Sequence, residues 1–427
     1  MIRPIRSLVA RAALLPLLAA GCRPGGGPEA AADRGGEDPA LAHAREVLRE
    51  TPVFDGHNDL AWEIRQRPEA PMDVDAYDLR ERTPGHTDLA RLAEGGVGAQ
   101  FWSVYVPGEW ADSGYARVQL EQIDIARRFI AKYPELELSL TADDVERAMV
   151  RGHIASLIGM EGGHVIENSL GALRAYYELG ARYMTLTHNV TLDWADAAND
   201  VARHGGLTEF GRTVVREMNR LGMLVDLSHV SPGAMSDALD VSEAPVIFSH
   251  SSVRALADVP RNVPDSILRR LPANGGVVMV TFVSTFLTPE LADSAAARDV
   301  EIARLQEGVT DPAERGRIEE EYWAARPILS ATVADVADHV EHVRDVAGID
   351  HVGIGADYDG MRSTPVGLPD VSGYPALFAE LIRRGWSDRD LGKLADGNIL
   401  RVLRAAEATA RRLRSETAPS TAALPRS

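Results

Sequence analysis

The sequence is short of cysteine and of positive charge. Cys22 is the only cysteine among 427 residues, which excludes an internal disulfide and leaves the fold to be held by its core. Acidic side chains number 63 against 45 lysines and arginines, for a formal net charge of -18. Such a chain has no basic surface to neutralise phosphates, which excludes nucleic acid as a partner and favours small ligands or metal cations.

The first residues have the pattern of an export signal. Arg3, Arg6 and Arg11 precede a short apolar run at 12–20, too short for the roughly 20 residues that a membrane-spanning helix needs. Cys22 directly follows Leu-Ala-Ala-Gly, as in the bacterial lipoprotein signal, whose cysteine carries the lipid. We therefore expect a signal peptide at 1–21 and a lipoprotein tethered through Cys22 to the cell envelope membrane, facing away from the cytoplasm. The alternative is an ordinary cleaved signal with a chance cysteine.

Composition divides the rest of the chain. Residues 22–41 are rich in Gly, Pro, Ala and charge and are typical of a flexible tether. Residues 409–427 have the composition of a disordered tail. The folded domain is therefore predicted at 42–408, with a charged, mostly helical insertion at 287–327.

Eight short apolar runs alternate with longer segments of helical spacing. That alternation is typical of a parallel sheet with crossover helices, and eight such units predict a closed (β/α)8 TIM-type barrel. The predicted strands lie at 52–59, 98–105, 154–162, 182–189, 223–229, 245–250, 276–282 and 351–360. The clearest predicted helices lie at 120–133, 169–181, 209–222, 333–348 and 374–385.

Ligand-type side chains stand at the same end of six of these strands. They are His57, Asp59, Glu161, His188, His229, His250 and Asp357. In a parallel barrel the carboxyl ends of the strands share one face, where active sites are built. We therefore expect all seven side chains to converge on one cavity.

This set of side chains suits a pair of zinc ions. Imidazole and carboxylate are zinc ligands, and alternation along a strand would point His57 and Asp59 the same way, toward one ion. His229 and His250 could hold a second ion, with Glu161 bridging the two. A water between paired ions loses a proton near neutral pH, which predicts a metal-bridging hydroxide as nucleophile.

The remaining histidines fit ordinary structural roles and are not assigned to the site. These are His43, His86, His153, His204, His339, His342 and His351, together with His164, which follows the Glu161-Gly-Gly turn closely enough to lie beside the ligands. Asp226 could be a buried carboxylate that orients a ligand histidine, although an ordinary polar contact is the preferred interpretation.

Seven segments in order resemble the membrane dipeptidase family, also called renal dipeptidase, within the amidohydrolase-like superfamily. They read DGHNDLAW, EGGH, RYMTLTHN, VDLSHVS, APVIFSHSS, RNVPD and GIGADYDG, from about Val53 to Gly360. The resemblance implies a zinc metallodipeptidase with two zinc ions per chain, no other cofactor, and the same five metal ligands. It also implies dipeptide substrates, including ones with a D-configured C-terminal residue.

The resemblance assigns three further residues. His188 matches a histidine that stabilises the oxyanion, and Arg261 matches an arginine that holds the substrate's terminal carboxylate. Without the family, Arg261 would be interpreted as a surface residue. Asp357 matches the acid-base residue, with Asp359 as the alternative.

The sequence departs from the vertebrate members at two points. Phe286 stands where those members have a pocket tyrosine, which affects specificity rather than metal binding. Cys22 cannot form their intersubunit disulfide if it is acylated, so any homodimer would be non-covalent. Two alternatives stay open: a binuclear-zinc amidohydrolase acting on N-acyl amino acids or lactams, and a non-catalytic peptide-binding lipoprotein.

Overall fold

A computed structural model describes residues 38–110, 114–326 and 329–424, and these form a parallel barrel surrounded by helices. The predicted signal peptide, Cys22 and most of the predicted tether lie outside these ranges. The described ranges contain nine strands: β1 Val53–Asn58, β2 Val97–Ser103, β3 Leu136–Leu138, β4 Ile154–Glu161, β5 Ala181–Thr185, β6 Leu224–Asp226, β7 Ile247–Phe248, β8 Val277–Val280 and β9 Val352–Ile354.

Eight of the strands close the barrel. Each strand from β4 to β8 pairs in parallel with the following strand. Strand β9 pairs with β1 through Ile354 and Asp55, and β1 pairs with β2. The ring closes where β2 pairs with β4 from Ala99 opposite Ala155 to Ser103 opposite Gly159. The (β/α)8 prediction is confirmed, and each of the eight predicted strands overlaps one barrel strand.

Strand β3 was not predicted. It pairs only with the first residues of β4, Leu136 opposite Ile154 and Leu138 opposite Ser156, and lies outside the ring. Its three residues are too few for the period-two pattern by which strands are found in a sequence.

Helices surround the barrel and include all five predicted from their spacing. They are α1 Pro39–Glu50, α2 Leu60–Gln66, α3 Leu89–Glu94, α4 Tyr115–Lys132, α5 Ala142–Val150, α6 Leu170–Glu178, α7 Glu209–Leu221, α8 Pro232–Val241, α9 Asp265–Leu268, α10 Leu271–Asn274, α11 Pro289–Leu305, α12 Pro312–Ala324, α13 Val333–Ala347, α14 Tyr374–Arg383, α15 Asp388–Gly392 and α16 Asn398–Glu416. Short 3-10 turns cover Gly163–Ile166, Ser284–Phe286 and Ile349–His351, and a π-helical turn, Lys393–Gly397, joins α15 to α16.

Local capping explains where the predicted helices stop. The Thr208 side chain accepts a hydrogen bond from Gly211 at the start of α7, and the helix ends at Gly222, whose φ of 84° is left-handed. Thr332 and Asp335 form a reciprocal capping box at the start of α13.

The barrel interior is filled by aromatic and aliphatic side chains below the strand ends. The rings of Phe54 and Phe101 stack at 5.4 Å, and Phe101 packs 4.9 Å from the ring of Tyr183. Met279 and other apolar residues complete this buried cluster. Above this packed lower barrel, a cleft opens at the carboxyl ends of the strands.

The predicted domain boundaries need correction at both ends. Helix α1 begins at Pro39, inside the predicted tether, with Asp38 as its cap. Helix α16 continues beyond residue 408 to Glu416, because Ala410 and Leu413 are buried and hold its last turns on the barrel. Within the described ranges, no helix is both long and apolar enough to span a membrane.

The predicted insertion is helical and lies beside the barrel mouth. It consists of α11 and α12. Ala292 and Ala296 of α11 line a cavity of about 710 Å³ together with Asn189 and Phe286, two residues that also border the cleft at the strand ends. The insertion therefore forms one wall of the space adjoining that cleft.

Candidate active site

All seven predicted strand-end side chains lie together at the carboxyl end of the barrel. Each belongs to a strand end or to the turn after it: His57 to β1, Asp59 to the cap of α2, Glu161 to β4, His188 to the loop after β5, His229 after β6, His250 after β7 and Asp357 after β9. The predicted convergence is thus observed, although these residues are up to 300 positions apart in the chain, between His57 and Asp357.

One group of ligand atoms centres on His57. Its Nε2 lies 3.2 Å from Asp59 Oδ2 and 3.5 Å from Glu161 Oε2. Asp59 is not on the strand as predicted, because β1 ends at Asn58 and Asp59 caps α2 with φ -93°. The turn nevertheless brings its carboxylate to the His57 imidazole.

A second group of ligand atoms uses the other oxygen of Glu161. The Oε1 atom lies 3.2 Å from His229 Nε2 and 3.4 Å from His250 Nε2. Glu161 is buried, and its two oxygens face the two groups separately. The carboxylate therefore stands between a His-Asp pair and a His-His pair.

Buried hydrogen bonds fix the orientation of His250. The Ser249 hydroxyl donates to Asp226 Oδ2 at 2.7 Å, which leaves Ser249 Oγ to accept the Nδ1–H of His250 at 2.8 Å. Asp226 also accepts the Thr185 hydroxyl at 2.5 Å. The preferred interpretation of Asp226 as an ordinary polar contact is wrong, because its carboxylate sets the His250 tautomer through Ser249.

The other two histidines are oriented in the same way. His229 Nδ1 lies 3.2 Å from Asn189 Oδ1, and His57 Nδ1 lies 2.8 Å from the Tyr183 hydroxyl. With Nδ1 bonded outward, each imidazole presents Nε2 to the centre. Asn189 follows His188 and Ser249 precedes His250, and this adjacency is the one sequence signal that could have identified them. Tyr183 lies in the RYMTLTHN segment, of which only His188 was predicted to belong to the site.

These side chains fit metal ions. The Nε2 atoms of His229 and His250 lie 2.8 Å apart, and since both protons are on Nδ1, two lone pairs face each other. The Nε2 of His57 is buried and has no hydrogen-bond partner. Neighbouring ligand atoms of a tetrahedral zinc site are about 3.3 Å apart, close to the 3.2 to 3.5 Å that separates Glu161 from the three imidazoles. A cation in each group would satisfy these atoms.

Burial controls protonation at the centre. It lowers the pKa of both His229 and His250 well below the usual value, which keeps them neutral as ligands must be. Burial opposes ionisation of Glu161, but the surrounding histidines, His57 first, hold its pKa well below the usual range. Burial also opposes charge on His57, yet Tyr183 and then Glu161 raise its pKa well above normal.

Asp357, rather than Asp359, faces the ligand cluster. Its Oδ1 lies 3.9 Å from His57 Nε2, and its side chain is 13% exposed to the cleft. Burial, with Asp59 and Glu161 adding to it, raises the pKa of Asp357 well above the usual value. A carboxyl that binds protons this readily suits acid-base work. Asp359 turns away toward His86 and is fully enclosed.

His188 stands on the opposite side of Glu161 from His57. Its Nε2 lies 3.7 Å from Glu161 Oε1, and its ring packs edge-on against Tyr105 at 4.8 Å. Burial lowers the pKa of His188, so it is a neutral imidazole able to donate one hydrogen bond into the cleft.

Arg261 is buried, not on the surface as its sequence context alone would suggest. It is 1% exposed, and its terminal NH2 group donates to the His250 carbonyl at 3.0 Å. Its Nε and other terminal nitrogen have no partner, and its guanidinium lies 4.6 Å from the Phe286 ring centroid. A buried cation with free donors beside the cleft suits an anionic ligand.

The cleft above the ligand atoms has a volume of about 600 Å³. Trp62, Tyr105 and Phe286 provide its aromatic walls, and Glu63 adds a further carboxylate. Trp62 is the last residue of the DGHNDLAW segment and Glu63 follows it, both on α2, and Tyr105 follows β2. Sequence reasoning missed Trp62, Glu63 and Tyr105 because their residue types carry no ligand signal.

Comparison with known proteins places the whole barrel in one family. Residues 41–417 match the model of membrane dipeptidase, peptidase family M19. The chain is 43% identical over 377 residues to dipeptidase 3 of Mus musculus, covering 87% of this chain and 68% of the relative. It is 42% identical over 372 residues to dipeptidase 3 of Macaca fascicularis, covering 86% and 67%.

Solved structures share the fold. The probable dipeptidase PvdM of Pseudomonas aeruginosa superposes with a TM-score of 0.75 at 24% identity, covering 87% of this chain and 99% of that one. A metallopeptidase of Rhodobacter sphaeroides, solved with a phosphinate mimic of L-Ala-D-Ala, superposes with a TM-score of 0.67 at 25% identity, covering 83% and 99%.

Proposed function

The chain belongs to the membrane dipeptidase family, and from that premise we propose that it is a binuclear zinc dipeptidase that hydrolyses the amide bond of free dipeptides. The observation that carries the proposal is the position of Glu161, whose two oxygens face two groups of ligand atoms, His57 on one side and His229 with His250 on the other. That arrangement suits a shared pair of ions better than a single ion.

The metal ligands divide between the two groups. His57 and Asp59 would hold one zinc ion, His229 and His250 the other, and Glu161 would bridge them. When bound, the ions supply Lewis acidity, which lowers the pKa of water and polarises the substrate carbonyl. The protein's own contribution is to hold three imidazoles in one tautomer and to exclude bulk water from their surroundings.

Three side chains perform the remaining steps. Asp357 accepts the proton of the attacking water and delivers it to the leaving nitrogen, for which a raised pKa is suited. His188 donates a hydrogen bond to the oxyanion that develops on the carbonyl oxygen. Arg261 binds the substrate's terminal carboxylate with its unpartnered donors.

The proposed substrates include dipeptides with a D-configured C-terminal residue. The support is the structurally similar metallopeptidase of Rhodobacter sphaeroides, which was solved with a mimic of L-Ala-D-Ala. The cleft volume of about 600 Å³ is ample for a dipeptide.

The cellular location is proposed from sequence alone. Cys22, outside the described residues, would carry a lipid and tether the enzyme to the envelope membrane, facing away from the cytoplasm. Metabolic labelling with a fatty acid, in wild type and Cys22→Ser, tests this. Label that persists in the variant, or none in wild type, would reject it. Any dimer would be non-covalent, because the lipid would occupy Cys22, the only cysteine.

The activity is tested with wild type and Asp357→Asn on three substrate classes: free dipeptides, N-acyl amino acids and lactams. We expect two zinc ions per chain in both proteins by metal analysis, and dipeptide hydrolysis by wild type alone. Hydrolysis of only N-acyl amino acids or lactams would replace the proposal with another amidohydrolase. If the wild type purified without chelator contains no metal, and adding zinc produces no activity, the protein would instead be a non-catalytic peptide-binding protein.

A further inference from the structure

The turn that carries Asp357 has an unfavourable backbone conformation. Asp357 has a φ of 72° and Asp359 a φ of 66°, so two residues with side chains adopt the left-handed region within three positions. Such residues persist only where surrounding contacts fix them, and they concentrate at functional sites. Something must therefore hold this turn in place.

One side of the turn is tied to β1. The Asp357 N–H donates to the His57 carbonyl at 3.1 Å, and the Asp59 N–H donates to the Tyr358 carbonyl at 2.9 Å. These bonds fix the turn to the end of β1, which carries His57, and to Asp59 just beyond it. They leave the outer residue, Asp359, to be held from elsewhere.

His86 holds the outer side through two reciprocal hydrogen bonds. Its backbone N–H donates to Asp359 Oδ1 at 2.5 Å, and the Asp359 N–H donates to His86 Nδ1 at 3.0 Å. The His86 ring also packs 5.7 Å from the ring of Tyr358. The side chains of His86 and Asp359 are 25% and 0% exposed, so water competes little for these bonds.

His86 is itself anchored on both sides. Its carbonyl accepts the Val371 N–H at 3.2 Å, and the hydroxyl of the next residue, Thr87, accepts the Asn58 side-chain amide at 2.8 Å. Since Asn58 lies between His57 and Asp59, the segment around His86 touches both β1 and the Asp357 turn. It closes a ring of contacts around the proposed acid-base residue.

We propose that His86 is a positioning residue for Asp357: its ring nitrogen and backbone N–H hold the 357–359 turn so that the Asp357 carboxylate faces the His57 group. His86 touches neither the ligand atoms nor the cleft, so it acts through the turn. The inference rests on the proposed dipeptidase function and adds a residue that sequence reasoning placed among structural histidines.

The test compares His86→Leu, which fills similar space without an acceptor, with His86→Asn, whose Oδ1 can replace Nδ1. We expect His86→Leu to lower kcat for a free dipeptide about tenfold or more, since small misplacements of reacting groups are costly. KM should stay within about threefold, and zinc content should be unchanged. His86→Asn should retain kcat within about threefold, as should the control His43→Leu on α1.

Several outcomes would overturn the inference. One is an unchanged kcat in His86→Leu, and another is an equal loss of kcat in His86→Leu and His86→Asn. The third is a His86→Leu variant whose defect is a raised KM or a reduced zinc content rather than a lower kcat. If His86→Leu does not fold, Asp359→Gly replaces it, because glycine accepts the left-handed φ but lacks the carboxylate acceptor. An unchanged kcat in Asp359→Gly would also reject the positioning role of His86. Failure of the wild type to hydrolyse dipeptides would instead reject the proposed function.

Discussion

The Tyr183 hydroxyl lies 2.8 Å from Nδ1 of His57, inside the barrel. Both residues are buried, so the hydrogen bond is protected from water. Tyr183 stands at the top of the aromatic packing that fills the barrel, with its ring tilted against that of Phe101 at a centroid distance of 4.9 Å. Packing of the hydrophobic core thus holds the Tyr183 ring, and through its hydroxyl the orientation of His57, a proposed metal ligand.

Tyr183→Phe removes this hydrogen bond and keeps the ring. We expect zinc affinity to fall about 10- to 100-fold, as when other partners of ligand histidines are removed. The melting temperature of the zinc-free protein should change little, because the packing is retained. Competition with a chelator measures the affinity. Zinc affinity equal to wild type would show that the hydroxyl does not orient His57.

Ser249→Ala tests the corresponding chain at His250. The variant removes the oxygen that accepts the Nδ1–H and leaves Asp226 without one of its donors. We expect a loss of zinc affinity of about 10- to 100-fold. Ser251→Ala is the matched control, since its hydroxyl donates to Ser228 rather than to a ligand histidine. Equal effects of the two variants would contradict the proposed chain.

The fold and the convergence of the ligands were predictable because they depend on regular patterns. Apolar runs gave the eight barrel strands, and the shared direction of parallel strands placed His57, Glu161 and His250 at one end. Neither step needs contacts between particular side chains. The short strand β3, by contrast, has too few residues to show a pattern.

The residues around the ligands could not be predicted because their roles depend on tertiary contacts. Ser249 and Asp226 are 23 positions apart and meet only when β6 and β7 pair. His86 and Asp359 are 273 positions apart, and nothing in either local sequence indicates the other. Arg261 has the sequence context of a surface residue, and its burial against the His250 carbonyl and the Phe286 ring arises only in the folded chain.

Arg261→Met tests recognition of the substrate carboxylate. For free dipeptides we expect kcat/KM to fall about 10- to 100-fold, the usual worth of a hydrogen-bonded charge pair. For the same dipeptides with a C-terminal amide, the variant should match wild type within about threefold, because the carboxylate is absent. Zinc content is the control, since Arg261 also donates to the His250 carbonyl. An equal loss on both substrates would indicate a structural role.

His339, on α13, joins two segments that border the cleft. It is fully buried, its Nε2–H donates to the Leu287 carbonyl at 2.8 Å, and the Val253 N–H donates to its Nδ1 at 3.0 Å. Val253 begins the loop that leads to Arg261, and Leu287 follows Phe286. The Val253 bond requires the neutral imidazole, because a protonated Nδ1 cannot accept a hydrogen bond. Burial, partly opposed by the Leu287 bond, lowers the pKa of His339 from 6.5 to about 4.

This pKa predicts the sign of a pH effect on stability. Below about pH 6.5 the unfolded chain binds a proton at His339 that the folded protein does not, so the free energy of unfolding falls until the pH nears 4. His339→Gln cannot titrate and should be less stable than wild type near pH 7.5. We expect that deficit to shrink by roughly 2.5 kcal/mol near pH 4.5. Denaturant unfolding of both zinc-free proteins measures it. A deficit independent of pH would show that His339 titrates at the same pH in the folded and the unfolded protein.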